Sequence, residues 1–261
     1  MRQHKTEAII LDTTDVFDAD RSFLMFSREF GKIRARAKGV RRPTSRLTGH
    51  LLAYLPVQVE LVESGGWFLI TDAQLPTRYL QEDGNYPANT LGFLQKAALV
   101  AEGINRLFID QDPHVVIYDG LSYTLDRLRD LCDREGERAS QKGESLAAEF
   151  LLKCLAELGY RPELRTCVLT GQPLDPEFIA WSSELGGVLS KEGYQRHAAT
   201  DAFIIQHPRS VVALRQFLTE EFWAERLAAP DEVQEETNRI IYHYLQTQIG
   251  QPLRSLIVSR R

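Results

Sequence analysis

Along the first 80 residues, apolar positions recur at every second place, in short runs. Thr6 to Asp12, Ser22 to Ser27, Gly31 to Val40, Val57 to Glu63 and Trp67 to Ala73 each read as a strand. In the third run Ile33, Ala35 and Ala37 alternate with Arg34, Arg36 and Lys38. In the fourth, Val57, Val59 and Leu61 share one face. Gly65-Gly66 supplies a tight turn into the fifth. Short strands with no helical period between them predict a small antiparallel barrel.

From residue 91 the period lengthens. Leu91, Leu94, Ala98, Ala101, Ile104 and Phe108 predict an amphipathic helix. A second opens near Pro113, with Val116, Leu121, Leu125 and Leu128 inward. The polar run Asp133 to Glu144 reads as a solvent loop, and Ser145 to Leu158 as a third helix closed by Gly159. Residues 160–200 are rich in Gly, Pro and Ser and read as irregular. Two helices follow, roughly Ser210–Leu227 and Asp231–Ile249. The last takes Asp231 as N-cap and stops at Gly250 and Pro252. The fold class is thus α+β: a five-stranded barrel of the oligonucleotide/oligosaccharide-binding (OB) type over residues 1–80, then a helical domain over 81–261.

Composition narrows the picture. The 261 residues are 43% hydrophobic, ordinary for a globular chain. No apolar run approaches the roughly 20 residues that a spanning helix needs, and Ala8 to Leu11 is too short for a secretory signal. Three scattered cysteines, Cys132, Cys154 and Cys167, argue against a disulfide framework and fit a reducing cytoplasm. The net charge is -5, yet the stretch Arg21 to His50 holds nine Lys or Arg residues against one acid, Glu29. Twelve basic and nine acidic residues leave positions 1–79 at +3, and the remainder is at -8, which supports a boundary near residue 80.

That asymmetry points to an anionic partner. Alternation puts Arg34, Arg36 and Lys38 on one face of their strand, where like charges repel unless an anion lies across them. The loop that follows adds Arg41, Arg42 and Arg46, with Thr44 and Ser45. Guanidinium groups grip phosphate oxygens with two hydrogen bonds each. Arg21, Lys32, Arg34, Arg36, Lys38, Arg41, Arg42 and Arg46 are therefore the candidate nucleic-acid contacts, reading phosphates rather than base edges. The competing explanation is a solvated charged face that protects a sheet edge. Phe23, Phe26, Phe30, Tyr54 and Trp67 are candidate stacking residues.

These residues resemble a known family. TEAIIL, the second strand, GKIRARAKGVRRPTSRLTGHLLAY and the fifth strand are similar to the N-terminal barrel of RecO, a mediator of DNA repair and recombination. LLKCLAELGYRPELRTCVLTGQPL, SSELGGVLS and IGQPLRS are similar to the helical part of the same family, in the same order. The resemblance implies binding of single- and double-stranded DNA, strand annealing, and help to a RecA-type recombinase in replacing single-strand DNA-binding protein. The implied partners are RecR and the C-terminal tail of single-strand DNA-binding protein, in the cytoplasm at the nucleoid. It also implies a non-enzymatic role, with Lys32, Arg34, Arg36, Lys38, Arg41, Arg42 and Arg46 on DNA.

Many RecO-like chains carry a four-cysteine zinc site in the irregular segment. Here Cys167 fills the first slot, while Thr170, Ser190 and Gly193 stand at the others, with nineteen residues between Thr170 and Ser190. Thr, Ser and Gly cannot replace thiolates on zinc, so no metal is expected. Leu169, Leu174, Phe178, Ile179, Trp181, Leu185 and Leu189 are expected to form an apolar cluster in its place.

Other chemistry finds no support. There is no phosphate-cradling G-x-x-x-x-G-K-[ST], no H-E-x-x-H and no G-x-S-x-G. The histidines, His197 and His207 among them, lack ligand spacing on one helix, and the acid pairs Glu220-Glu221 and Glu235-Glu236 read as solvated faces. No cofactor is expected. A groove between helices, near Arg127 and Arg129, Arg209 and Arg215, or Arg254, Arg260 and Arg261, would suit an acidic tail peptide. The rival readings are an OB-type RNA-binding module, a metal-dependent nuclease, and a protein–protein adaptor.

Overall fold

A computed structural model describes residues 2–65, 67–79, 91–135, 139–197, 201–219 and 229–259. The strands β1 (Gln3–Val16), β2 (Asp20–Ser27), β3 (Gly31–Ala37), β4 (Pro56–Ser64) and β5 (Trp67–Gln74) close into a barrel in the order β1-β2-β3-β5-β4. All neighbours are antiparallel except β3 and β5, which run parallel. One long strand makes closure possible. The first half of β1 pairs with β4, its second half pairs with β2, and a bulge between Ile10 and Asp12 bends it. This is the expected OB-type barrel, with β1 extending further at both ends than its apolar run.

The alternation holds. Ala8, Ile10, Phe23, Met25, Ile33, Ala35, Ala37, Val57, Val59, Leu61, Phe68 and Ile70 fill the interior. Leu24 and Phe26 point outward yet are buried, because Phe26 meets Phe108 with ring centroids 5.5 Å apart.

Helices α1 (Leu91–Leu107) and α2 (Val115–Glu135) follow. The expected stripe of the first holds at Ala101, Ile104 and Phe108, all buried, but not at its start. Phe93, Ala97, Val100 and Ile104 are buried, whereas Leu91 and Leu94 are exposed. Leu121, Leu125 and Leu128 are buried in α2, but Val116 is exposed. The expected loop at 133–144 is another difference: α2 runs to Glu135 and α3 (Ala139–Glu157) begins four residues later. Charged residues on a solvent-facing helical surface carry no loop signal of their own.

Two compact units divide at Gly136. The charge-based boundary near residue 80 separates barrel from helices, while packing groups α1 and α2 with the barrel. In the second unit α3, α5 (Arg209–Thr219) and α6 (Asp231–Ile249) pack together. Between them lie a small sheet ordered β7 (Gly187–Leu189), β6 (Ala180–Ser182), β8 (Phe203–Ile204), and the one-and-a-half-turn helix α4 (Lys191–Arg196). A last helix, α7, spans Arg254–Ser259. Gly250 ends α6 in the left-handed region, at φ 72°. Pro230, not Asp231, is the N-cap of α6. The expected helix to Leu227 is described only as far as Thr219, so Glu220-Glu221 lie outside the described residues.

Glu236 departs from its expected solvated face. It is buried, and its carboxylate accepts from the backbone N–H of Gln206 (2.7 Å) and His207 (2.9 Å) and from Ser210 Oγ (2.8 Å), at the start of α5. Glu235 beside it is exposed, as read.

Candidate nucleic-acid interface

β3 and the loop after it carry the cations. Because Ile33, Ala35 and Ala37 must enter the barrel, Arg34, Arg36 and Lys38 point outward. Gly39, at φ 65°, turns the chain into a loop closed by Arg42 N to Gly39 O (3.1 Å) and Ser45 N to Arg42 O (2.9 Å). The loop displays Arg41, Arg42, Thr44 and Arg46 to solvent.

The candidates divide into three groups. Lys32 is the first: it takes an outward position on β3, as Arg34 does, but it is covered instead of displayed. Its side chain is 10% exposed, its ammonium donates to Asn105 O at 2.9 Å, and Asp110 Oδ1 lies 3.3 Å away. Its backbone C=O accepts from Gln111 N at 2.8 Å. Lys32 fastens the barrel to the segment between α1 and α2, and its charge is not displayed to a ligand. Neighbouring Gly31 is held to the same segment so closely that a Cβ would lie 2.0 Å from Asp112 O.

Arg21, Arg36 and Arg41 form the second group. Each has an aspartate from the β1–β2 hairpin. Arg21 Nε donates to Asp15 Oδ1 at 2.7 Å, and Arg41 Nε lies 3.4 Å from Asp15 Oδ2. Arg36 grips Asp20 through Nε (2.9 Å) and a second guanidinium nitrogen. Asp20 also accepts from Gly39 N at 2.7 Å, so it fixes the loop as well as the arginine. These contacts hold both carboxyls below the usual carboxylate range. For Asp15 the Arg21 hydrogen bond leads; for Asp20 the Gly39 N–H leads, followed by Arg36. These acids lie just before Arg21, outside the stretch Arg21 to His50. Over residues 12–50 the balance is nine bases against five acids.

Arg34, Lys38, Arg42 and Arg46 are the third group. All four are exposed, and none has an ion-pair partner among the described residues. A cleft of about 240 Å³ is lined by Arg21, Phe23, Val40, Arg41, Thr48 and Leu51, so two arginines of the second group edge it. Exposed guanidinium and ammonium groups without ion pairs, on a strand and the loop that follows it, suit a run of phosphates.

Of the aromatic candidates, Phe23 and Phe26 are buried. Phe30 packs between His4 and Phe68, with centroids at 5.0 and 5.7 Å, and Tyr54 meets Phe93 at 6.5 Å. Trp67 is exposed at the start of β5, whose next two residues pair with Ala35 and Arg36 of β3. Sequence reasoning passed over Phe17, at the tip of the β1–β2 hairpin, 74% exposed and with the Arg36 guanidinium 4.7 Å above its ring. Its signal was present: a large aromatic in the Asp-rich turn DVFDAD, where turn residues belong.

Among the suggested basic spots for a tail peptide, Arg129 is buried over the rings of Tyr79 and Phe93 and donates to Asp126 at 3.0 Å. Arg215 is tied to Leu164 O, while Arg127 and Arg209 are exposed. Arg260 and Arg261 lie outside the described residues.

The irregular segment keeps the layout of a zinc knuckle with different chemistry. Gly171 N donates to Cys167 O (2.8 Å) to close one turn, and Ser190 Oγ accepts from Gly193 N (3.2 Å) to start α4. A Cβ on Gly193 would lie 2.6 Å from Cys167 Sγ and 3.5 Å from Ser190 Oγ, so the four positions converge. Burial pushes the Cys167 thiol up, but hydrogen bonds from the side chains and backbones of Ser190 and Thr170 bring it down to about 7. One thiol, two neutral hydroxyls and a hydrogen do not fit zinc. Cys167, Ala180 and Leu189 form an apolar core here, lined by Val168, Leu174, Phe178, Leu185, Tyr194 and Ala202. Leu169 is exposed instead, and Trp181 turns away to meet Tyr244. Nearby, donor atoms of Glu184, His197 and Asp201 lie within 4.8 Å of one another. Asp201 is occupied as a turn cap, accepting from Ser182 Oγ (2.8 Å), Ser183 N (2.5 Å) and Glu184 N (2.8 Å). Among the described residues, no helix is long and apolar enough to cross a membrane.

Comparison with known proteins agrees with this architecture. Residues 1–78 match a family model described as Recombination protein O N terminal, and residues 95–257 match one described as Recombination protein O C terminal. A protein of Caldanaerobacter subterraneus subsp. tengcongensis named DNA repair protein RecO is 23% identical over 98% of this chain and 96% of its own length. Another of that name, from Bifidobacterium adolescentis, is 25% identical over 98% of both chains. A third, from Desulfitobacterium hafniense, is 29% identical over 74% of this chain and 65% of its own. Barrel, helices and knuckle thus match along nearly their whole length, and the chain belongs to the recombination protein O (RecO) family.

Proposed function

We propose that this chain is a non-enzymatic DNA-binding mediator of recombinational repair. In this reading it holds single- and double-stranded DNA on the cationic face of its barrel and promotes annealing of complementary strands. With RecR, it assists a recombinase onto DNA coated by single-strand DNA-binding protein, whose C-terminal tail it contacts. The observation that carries the DNA reading is the set Arg34, Lys38, Arg42 and Arg46, exposed on β3 and its loop with no ion pair among the described residues, although the field of Lys38 reaches Asp20. Family membership supports the repair context. Arg21, Arg36 and Arg41 serve beside them, partly neutralised by Asp15 and Asp20.

The test is fluorescence anisotropy of labelled single-stranded DNA, duplex DNA and RNA over a salt series. The variant Arg34→Ala/Lys38→Ala/Arg42→Ala/Arg46→Ala is compared with wild type. Loss of affinity is expected, with the slope of log K against log salt falling by roughly 0.7 for each single-strand phosphate contact removed. A variant that binds DNA as tightly as wild type would overturn the assignment. Equal or tighter binding of RNA by the wild type would favour an RNA-binding module instead.

A further inference from the structure

Phe17 has no packing reason to be where it is. It sits in the three-residue turn between β1 and β2, with 74% of its surface in water. Its φ is 57°, a left-handed conformation that suits Gly or Asn and disfavours a bulky side chain. A residue buried in the core could be held there by its contacts, but Phe17 is not part of the barrel core. What it touches is Arg36, whose guanidinium lies 4.7 Å from the ring centroid. Arg36 is itself fixed by Asp20, and Asp20 by the backbone of Gly39. One face of the ring is therefore capped by a cation held in place, and the other is open to solvent. Phe17 lies on the same hairpin as Arg21 and its partner Asp15, and the arginine over its ring, Arg36, is on β3, the strand that also carries Arg34.

We propose that Phe17 is a stacking platform for one base of a single strand whose phosphates lie along β3 and its loop. This rests on the DNA reading above and adds to it a preference for unpaired bases. A flat aromatic ring accepts any base, so the contact carries no sequence readout. In an intact duplex the base faces are stacked on each other and are closed to the ring. The cation behind Phe17 polarises the ring and holds its orientation. The contact is apolar, so it adds to affinity without adding to the release of counterions.

Anisotropy with three labelled probes separates these terms: a thymine oligomer, an abasic oligomer of the same length, and a hairpin-closed duplex. In the wild type the thymine oligomer is expected to bind more tightly than the abasic one. Phe17→Ala is expected to lose about tenfold in affinity for the thymine oligomer. It should leave the abasic oligomer, the duplex and the salt slope unchanged, and Phe17→Tyr should bind as wild type. Equal binding of thymine and abasic oligomers by the wild type would overturn the platform, as would a Phe17→Ala variant that holds the thymine oligomer as tightly as wild type. Failure of the wild type to bind any of the three probes would instead strike at the DNA reading, and the platform would fall with it.

Discussion

Two residues of the basic stretch show why charge along a chain is not charge on a surface. Lys32 and Arg34 occupy alternate outward positions of one strand, yet Lys32 is buried against Asn105 and Asp110 while Arg34 is free in solvent. Replacing Lys32 with Met should therefore weaken the fold rather than the interface. Loss of a charged hydrogen bond in a largely buried site costs about 1–3 kcal/mol. Thermal unfolding should occur several degrees lower, while DNA affinity and its salt slope stay at wild-type values. A Lys32→Met variant with wild-type stability and weak DNA binding would restore Lys32 to the interface. Asp15 and Asp20 act in the opposite sense. Their folded pKa values are depressed below the ordinary 3.8, so their contribution to stability is present above that value and is lost as pH falls through the lower folded values. Asp20→Asn should lower the melting temperature near neutral pH, and the gap to wild type should close below about pH 4. Asp15→Asn, which releases Arg21 and Arg41, should tighten DNA binding at neutral pH in a titration at fixed salt.

At the scale of elements, the knuckle shows one layout held by other forces. The turn at Cys167 and the start of α4 still converge, but hydrogen bonds to a thiol and a small apolar core take the place of four metal bonds. Gly193 is the tightest point. Gly193→Ala drives a methyl group to within 2.6 Å of Cys167 Sγ and should cost about 1–3 kcal/mol by overpacking. Cys167→Ala removes the obstructing sulfur, so the double variant should be less destabilised than the two single changes added together. Denaturant melts of all four proteins check this cycle, and simple additivity would show that the two positions do not press on each other. The spacing of the four positions was legible in the sequence, and so was the loss of ligands. Which apolar residues close the gap was not: Trp181 and Leu169 read as equal members of the cluster, and only the path of β6 sends Trp181 toward Tyr244.

Over the whole molecule, the charge is uneven between the barrel and the rest of the chain, not between the two compact units, which carry -2 (residues 1–136) and -3 (residues 137–261). The barrel keeps a cationic face although hairpin aspartates offset three of its arginines, and the residues beyond position 79 are strongly acidic. The second unit should not need metal to fold. Exhaustive chelation, followed by calorimetry, is expected to leave its unfolding transition in place, whereas zinc found in equal proportion to protein would contradict the donor set at Cys167.

The sequence by itself determined the strands, the barrel they close and most of the helices. Alternating and 3.6-residue periods are local consequences of which side chains avoid water, and they survive any arrangement of the rest. It also determined that cations concentrate on β3 and its loop. Tertiary structure alone decided which of them are free. Lys32 and Arg36 meet their partners across the fold, at Asp110 and at Asp20 of the neighbouring strand, and Arg34 meets none among the described residues. The same holds for Phe17 and Glu236. A position in a turn or on a helix says what a side chain is next to in sequence, whereas its exposure and its partners depend on which distant backbone closure brings alongside it.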